Sequence, residues 1–135
     1  MTASANLDLV RSICADLERG DFSRADWADP NIGFVIAGGP APGRWKGRME
    51  MGRAWRDYLS AWEEYRLVAD EFREIDDDRV VAFGRRTGRA KASGVDLAQM
   101  HNRGAALFEI HDGRVIRLAV YADAYRALAD LGLSE

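Results

Sequence analysis

Few side chains in this sequence can move a proton or hold a metal, and their spacing narrows what they can do. Asp70 and Glu71 fall in the middle of a β-type run, where alternation turns one of them inward. Glu71 shares its parity with Leu67, Ala69 and Ile75, so it is the one expected inside. An inward acid beside an aromatic wall has its pKa raised by desolvation and suits proton transfer. Such a carboxylate needs a donor, and Arg85 on the following strand is the candidate partner. Tyr58, or alternatively Tyr121, is a candidate hydrogen-bond donor to a substrate. The competing reading of Glu71 and Arg85 is a structural ion pair.

The remaining reactive groups carry weaker signals. Cys14 is the single cysteine and lies on an apolar helix face, where it reads as a small hydrophobe or as a thiol lining a pocket. It has no recognisable activating partner. His111 adjoins the turn Asp112-Gly113 and reads as solvated. His101 reads as a rim histidine or a proton carrier. Two histidines without helical i,i+4 spacing make a poor metal site, so neither metal nor cofactor is expected. The run from Gly38 to Gly43 lacks a Gly-Lys-Ser/Thr ending, and its prolines remove amide donors, so it reads as a loop and not a phosphate cradle.

These groups must be positioned by the elements that hydrophobic periodicity predicts. Val10, Ile13, Cys14 and Leu17 recur at helical spacing, predicting a helix over 6–19 with Asn6 as its N-cap. A short helix beginning at Asp21 and holding Phe22 and Trp27 should end at Asp29-Pro30. A strand over 31–37 follows. Met51, Ala54, Trp55, Tyr58, Leu59, Trp62 and Tyr65 form one stripe, predicting a helix over 48–65. Strands are predicted over 67–75, 80–91, 95–111 and 114–121, the last pair joined by the hairpin turn Asp112-Gly113. A short amphipathic helix with Tyr125, Leu128 and Leu131 should end at Gly132.

A straight strand over 95–110 would run about 53 Å at ~3.3 Å per residue, longer than a small domain is wide. It must bend, and Gly84, Gly88 and Gly104 are where bends would fall. The expectation is an α+β domain in which a curved antiparallel sheet wraps the Trp-rich helix and leaves a cavity at its open end.

Composition excludes several classes. The chain has 135 residues, 47% hydrophobic and 30% charged, and reads as one domain over 1–135. Nineteen Lys and Arg against 22 Asp and Glu give a net charge of −3, without the basic surplus of a nucleic-acid binder. No apolar run approaches the ~20 residues of a membrane span. Met1-Thr-Ala-Ser-Ala-Asn6 has neither a basic start nor an apolar core, so a cytoplasmic location is expected. Four tryptophans, Trp27, Trp45, Trp55 and Trp62, suggest aromatic walls suited to flat or terpenoid-like ligands.

The helix, the stretch "ADWADPNIGFV", the Trp-rich helix and the long strands ending in "HDGRVIRLAVYAD" together resemble the nuclear-transport-factor-2-like superfamily. The stretches "RGDFSRADWADP", "GPAPGRWKG", "SAWEEYR" and "HDGRVIRLAVYADAYRALADLGL" resemble its SnoaL-like group, which includes polyketide cyclases and has ketosteroid isomerase and limonene-epoxide hydrolase as relatives. The resemblance implies a cone-shaped, cystatin-like half-barrel, an open apolar pocket and a homodimer through the sheet. Positions where those relatives carry acids or bases fall at Ile13 or Cys14, Phe34, Ala106 and Val120, none of them an acid or base of the expected type.

The expected function is therefore a small-molecule enzyme of isomerase, cyclase or hydrolase type, with Glu71, Arg85 and Tyr58 as its chemical groups. Cys14, Trp27, Phe34, Trp55, Trp62, Phe83, Ala106, Phe108, Leu118 and Val120 would surround an apolar substrate. The alternatives are a non-catalytic binder of an apolar small molecule and an interaction module using Val115, Arg117, Ala119 and Tyr121 on the outer sheet face.

Overall fold

The computed structural model describes residues 3–18, 26–38, 42–91, 93–94 and 103–133. Their elements run α1 (Ala3–Glu18), β1 (Ala28–Ala37), β2 (Gly43–Lys46), α2 (Arg48–Ser60), β3 (Trp62–Glu74), β4 (Arg79–Ala90), β5 (Arg103–His111), β6 (Arg114–Tyr121) and α3 (Ala124–Leu131). The strands form one sheet in the order β2-β1-β6-β5-β4-β3, parallel at β1–β6 and antiparallel elsewhere. The sheet is strongly curled into a half-barrel. Its inner face packs on α1 and α2, its outer face on α3.

Alternation along the strands separates the two faces. Val80, Ala82, Ala106, Phe108, Leu118 and Val120 face inward with Phe34. Val81, Phe83, Ala105, Leu107, Ala119 and Tyr121 face outward and are buried with Ala124 and Ala127 of α3. Of the residues expected on an outer interface, Ala119 and Tyr121 are thus buried within the chain, while Arg117 stays half-exposed. Val115, expected there as well, belongs to the inner core. Asp112 and Gly113 both take positive φ, 51° and 76°, as the two-residue hairpin requires. Asp123 caps α3 through the Tyr125 amide, and Gly132 ends it in the left-handed conformation.

Several sequence expectations are corrected. Asn6 is not a cap; it lies inside α1, buried, and its Nδ2 donates to the Asp77 carbonyl at 2.7 Å. Gly43, read as the end of a loop, instead begins an edge strand, residues 43–46, paired to β1. Residues 26–27 form a turn before β1; residues 21–25 of the expected short helix, and 95–102 of the long strand with His101, lie outside the described residues.

The largest correction concerns α2, which ends at Ser60 and not near Tyr65. Trp62 and Tyr65 stand on β3. Between Glu63 and Arg66 the strand carries one more residue than its partner, and Glu64 takes φ 53° there. That extra residue brings Trp62 and Tyr65, three apart, to the same face. A bulged strand therefore reproduces the spacing of a helix.

Candidate functional site: an aromatic cavity in the half-barrel

The inner row of the sheet meets α1 and α2 around a cavity of about 370 Å³, within the usual range for small-molecule sites. Helix α1 contributes Cys14, Leu17 and Glu18; α2 contributes Arg48, Met51, Gly52, Trp55 and Leu59. Trp27 and Phe34 close it from the β1 side. Ala82, Gly84, Ala106, Phe108, Leu118 and Val120 come from the central strands, and Tyr65, Arg66 and Ala69 from β3. Trp55 meets Phe34 edge-on at 6.0 Å and stacks on Tyr58 at 5.6 Å.

Nine of the ten expected substrate-contacting residues border this cavity: Cys14, Trp27, Phe34, Trp55, Phe83, Ala106, Phe108, Leu118 and Val120. Phe83 also belongs to the outer cluster, with the Arg73 guanidinium 5.3 Å above its ring. Trp62, the tenth, packs beside Tyr58 and Tyr65 and does not line the cavity.

The three expected catalytic groups are placed elsewhere. Asp70 is an extra residue between Ala69, which pairs with Gly84, and Glu71, which pairs with Phe83. The bulge reverses the alternation, so Ala69 and Phe72 face inward and Glu71 outward. Glu71 is half-exposed and bonded to Arg73 at 2.6 Å, with Arg103 at 3.8 Å. Arg85 is exposed on the same outer face, opposite Val68 and Arg103. Asp70 forms a two-bond pair with Arg103, both at 2.8 Å, which holds its carboxyl below the usual range. Tyr58 is buried behind the cavity wall, where burial and the neighbouring Tyr65 push its phenol well above its ordinary pKa.

Two residues that the sequence reading passed over take the interior positions. Glu18 is the single carboxylate among the described lining residues. Its Oε1 accepts from the Ala69 amide at 2.9 Å, at the bulge of the edge strand. The signal was available, since Glu18 lies one helical turn beyond Cys14 on the same stripe. Arg86, not Arg85, continues the inward row of Val80, Ala82 and Gly84. It is 4% exposed and donates to the Tyr58 hydroxyl at 2.6 Å, the Ala122 carbonyl at 2.9 Å and the Tyr65 hydroxyl at 3.3 Å.

The Cys14 thiol is pushed up to about 12, first by burial and then by the negative charge of Glu18. At pH 8 its thiolate fraction falls on the order of 10³-fold below that of an ordinary thiol of pKa ~8.5. Alkylation by iodoacetamide at pH 8 is expected to be slower than for a free thiol by roughly that factor, rising with pH well beyond the range where free thiols level off. Rapid labelling that levels off near pH 9 would contradict this environment.

The SnoaL-like domain family matches residues 10–118, and the chain belongs to that family. Its fold is shared with Bal32a from a soil-derived mobile gene cassette, at 24% identity and TM-score 0.74 over 87% of this chain and 88% of that one. A proposed polyketide cyclase of Xanthomonas campestris matches at 17% identity and TM-score 0.73, over 97% and 99% of the two chains. TerC, co-crystallised with polyporic acid, matches at 19% identity and TM-score 0.69, over 95% and 98%. No curated protein matches the sequence.

Proposed function

We propose that this protein is a small-molecule enzyme of isomerase, cyclase or hydrolase type, holding an apolar substrate in the half-barrel, with Glu18 as its proton carrier. The observation that carries the reading is one carboxylate, Glu18, in the wall of a cavity whose other described lining residues are apolar or aromatic apart from Arg48 and Arg66. One Glu18 oxygen is held by the Ala69 amide, which fixes the carboxyl group and leaves the other oxygen without a partner among the described residues. A carboxylate positioned against a largely apolar cavity is the arrangement general acid–base catalysis uses. Family membership and the polyporic acid bound to TerC support a small organic ligand for this fold.

Turnover is to be screened on enolisable ketones, lactones and epoxides with apolar bodies. On any substrate found, Glu18→Gln is expected to lower kcat by about 10² to 10⁴ while ligand binding persists. An unchanged kcat removes Glu18 from the mechanism. A second reading, a binder without turnover, is favoured by the apolar residues Phe34, Ala106 and Val120 at three of the wall positions. Native mass spectrometry of freshly purified protein separates the two, since a retained apolar ligand that is never converted supports the binder.

A further inference from the structure

Behind the cavity wall lies a cluster rich in hydrogen-bond donors and poor in acceptors. The Arg86 guanidinium is buried, and no carboxylate among the described residues pairs with it. Its partners are two phenolic oxygens and one backbone carbonyl. A buried charge without a counter-ion is costly, and native interiors normally pair it. The fold nevertheless makes room for this one, because a Cβ at Gly104 would fall 2.7 Å from Arg86 Cδ. The aromatic rings of Trp62 and Tyr65 lie 5.9 and 5.7 Å from the guanidinium carbon and offer only partial compensation.

The donor count around Arg86 is unbalanced. Tyr58 and Tyr65 both accept from Arg86 through their oxygens, so each keeps its own O–H to donate. One can donate to the other; the second is left without an acceptor among the described residues. The indole Nε1 of Trp55 and that of Trp62 are also buried without a partner. Trp55 stacks on Tyr58, and Trp62 packs on Tyr58 and Tyr65, so all these donors belong to one neighbourhood. Tyr65 and Trp55 line the cavity itself, and Gly84, next inward from Arg86 on β4, lines it too.

We propose that the Tyr65 end of this cluster is an anion subsite of the cavity, taking the carboxylate, phenolate or enolate oxygen of a ligand whose apolar body fills the aromatic cone. The ligand's negative oxygen meets the unspent phenolic O–H and supplies the counter-charge that Arg86, behind the tyrosines, does not find among the described residues. The same arrangement would stabilise an oxygen that becomes negative during proton abstraction by Glu18. The inference rests on the reading of the half-barrel as a small-molecule site and adds to it the charge of the ligand.

The test uses 4-nitrophenol, whose phenolate is read by its absorbance, and nitrobenzene as a neutral control of similar shape. In the unmodified protein the bound phenol is expected to ionise about one pH unit or more below the free phenol, which is at least a tenfold preference for phenolate. Tyr65→Phe is expected to remove most of that preference while nitrobenzene binds as before. Arg86→Met is expected to act in the same direction, with thermal unfolding run alongside to verify the fold. A phenol that binds with unchanged or raised pKa overturns the anion subsite and leaves the apolar cavity standing. Failure of both probes to bind sinks the cavity reading and the subsite together.

Discussion

Replacing Gly84 by alanine is expected to destabilise the protein by about 3 kcal/mol, at the upper end of what overpacking a core costs. Gly84 sits on the inward row of β4 directly against β3. A Cβ there would collide with the Val68 carbonyl oxygen and lie 2.8 Å from its carbon and 2.9 Å from Ala69 Cα. All three are backbone atoms, so no side chain can turn aside to relieve the clash. Relief requires moving β3 away from β4 at the Asp70 bulge, where Glu18 also ties α1 to the strand. Urea denaturation is the measurement, with Gly52→Ala as the control. A Cβ at Gly52 meets nothing within 4 Å, and removing a helical glycine should add about 0.5–1 kcal/mol. Equal midpoints for the two variants would contradict the close approach of β3 and β4.

Phe34→Ala is expected to cost about 3 kcal/mol, at the low end of the usual ~3–5 kcal/mol for a buried phenylalanine. The ring is 1% exposed and contacts Trp45 at 5.9 Å and Trp55 at 6.0 Å. Its full removal would ordinarily leave a new void. Here part of the ring already borders open space, so less packing is lost than at a closed core site. The vacated volume joins the existing cavity, and naphthyl ligands are expected to gain affinity relative to phenyl ones. Chemical denaturation reads the first effect and competitive binding the second. A loss of stability with no change in ligand size preference would mean that Phe34 is core alone and does not shape the cavity.

Much of the inner wall was legible before any coordinates. Phe34, Ala106, Phe108, Leu118 and Val120 lie on strands whose alternation runs undisturbed through these positions, so parity assigned their face. Cys14 followed from the helical period of α1. The Asp112-Gly113 turn and the Gly132 helix end were legible because only a few residue types accept positive φ there.

Glu71 was misplaced for a physical reason that lies in the strand itself. Strand parity holds only until a bulge, and β3 carries two, at Glu64 and at Asp70. Neither is marked by glycine or proline, so nothing in the local sequence announces them. The first made Trp62 and Tyr65 look helical. The second turned Glu71 outward to Arg73 and Arg103 and left the interior to Glu18. On β4 the alternation itself placed Arg86 inside, in line with Val80, Ala82 and Gly84, but an uncompensated arginine is a residue that composition argues against burying. The sequence alone therefore determined the family, the half-barrel and its aromatic lining, because these rest on many residues that agree. That Glu71 turns outward was decided by a single-residue shift along β3, and that Arg86 fits behind the cavity wall by the space left at Gly104, features that exist only once the strands are paired.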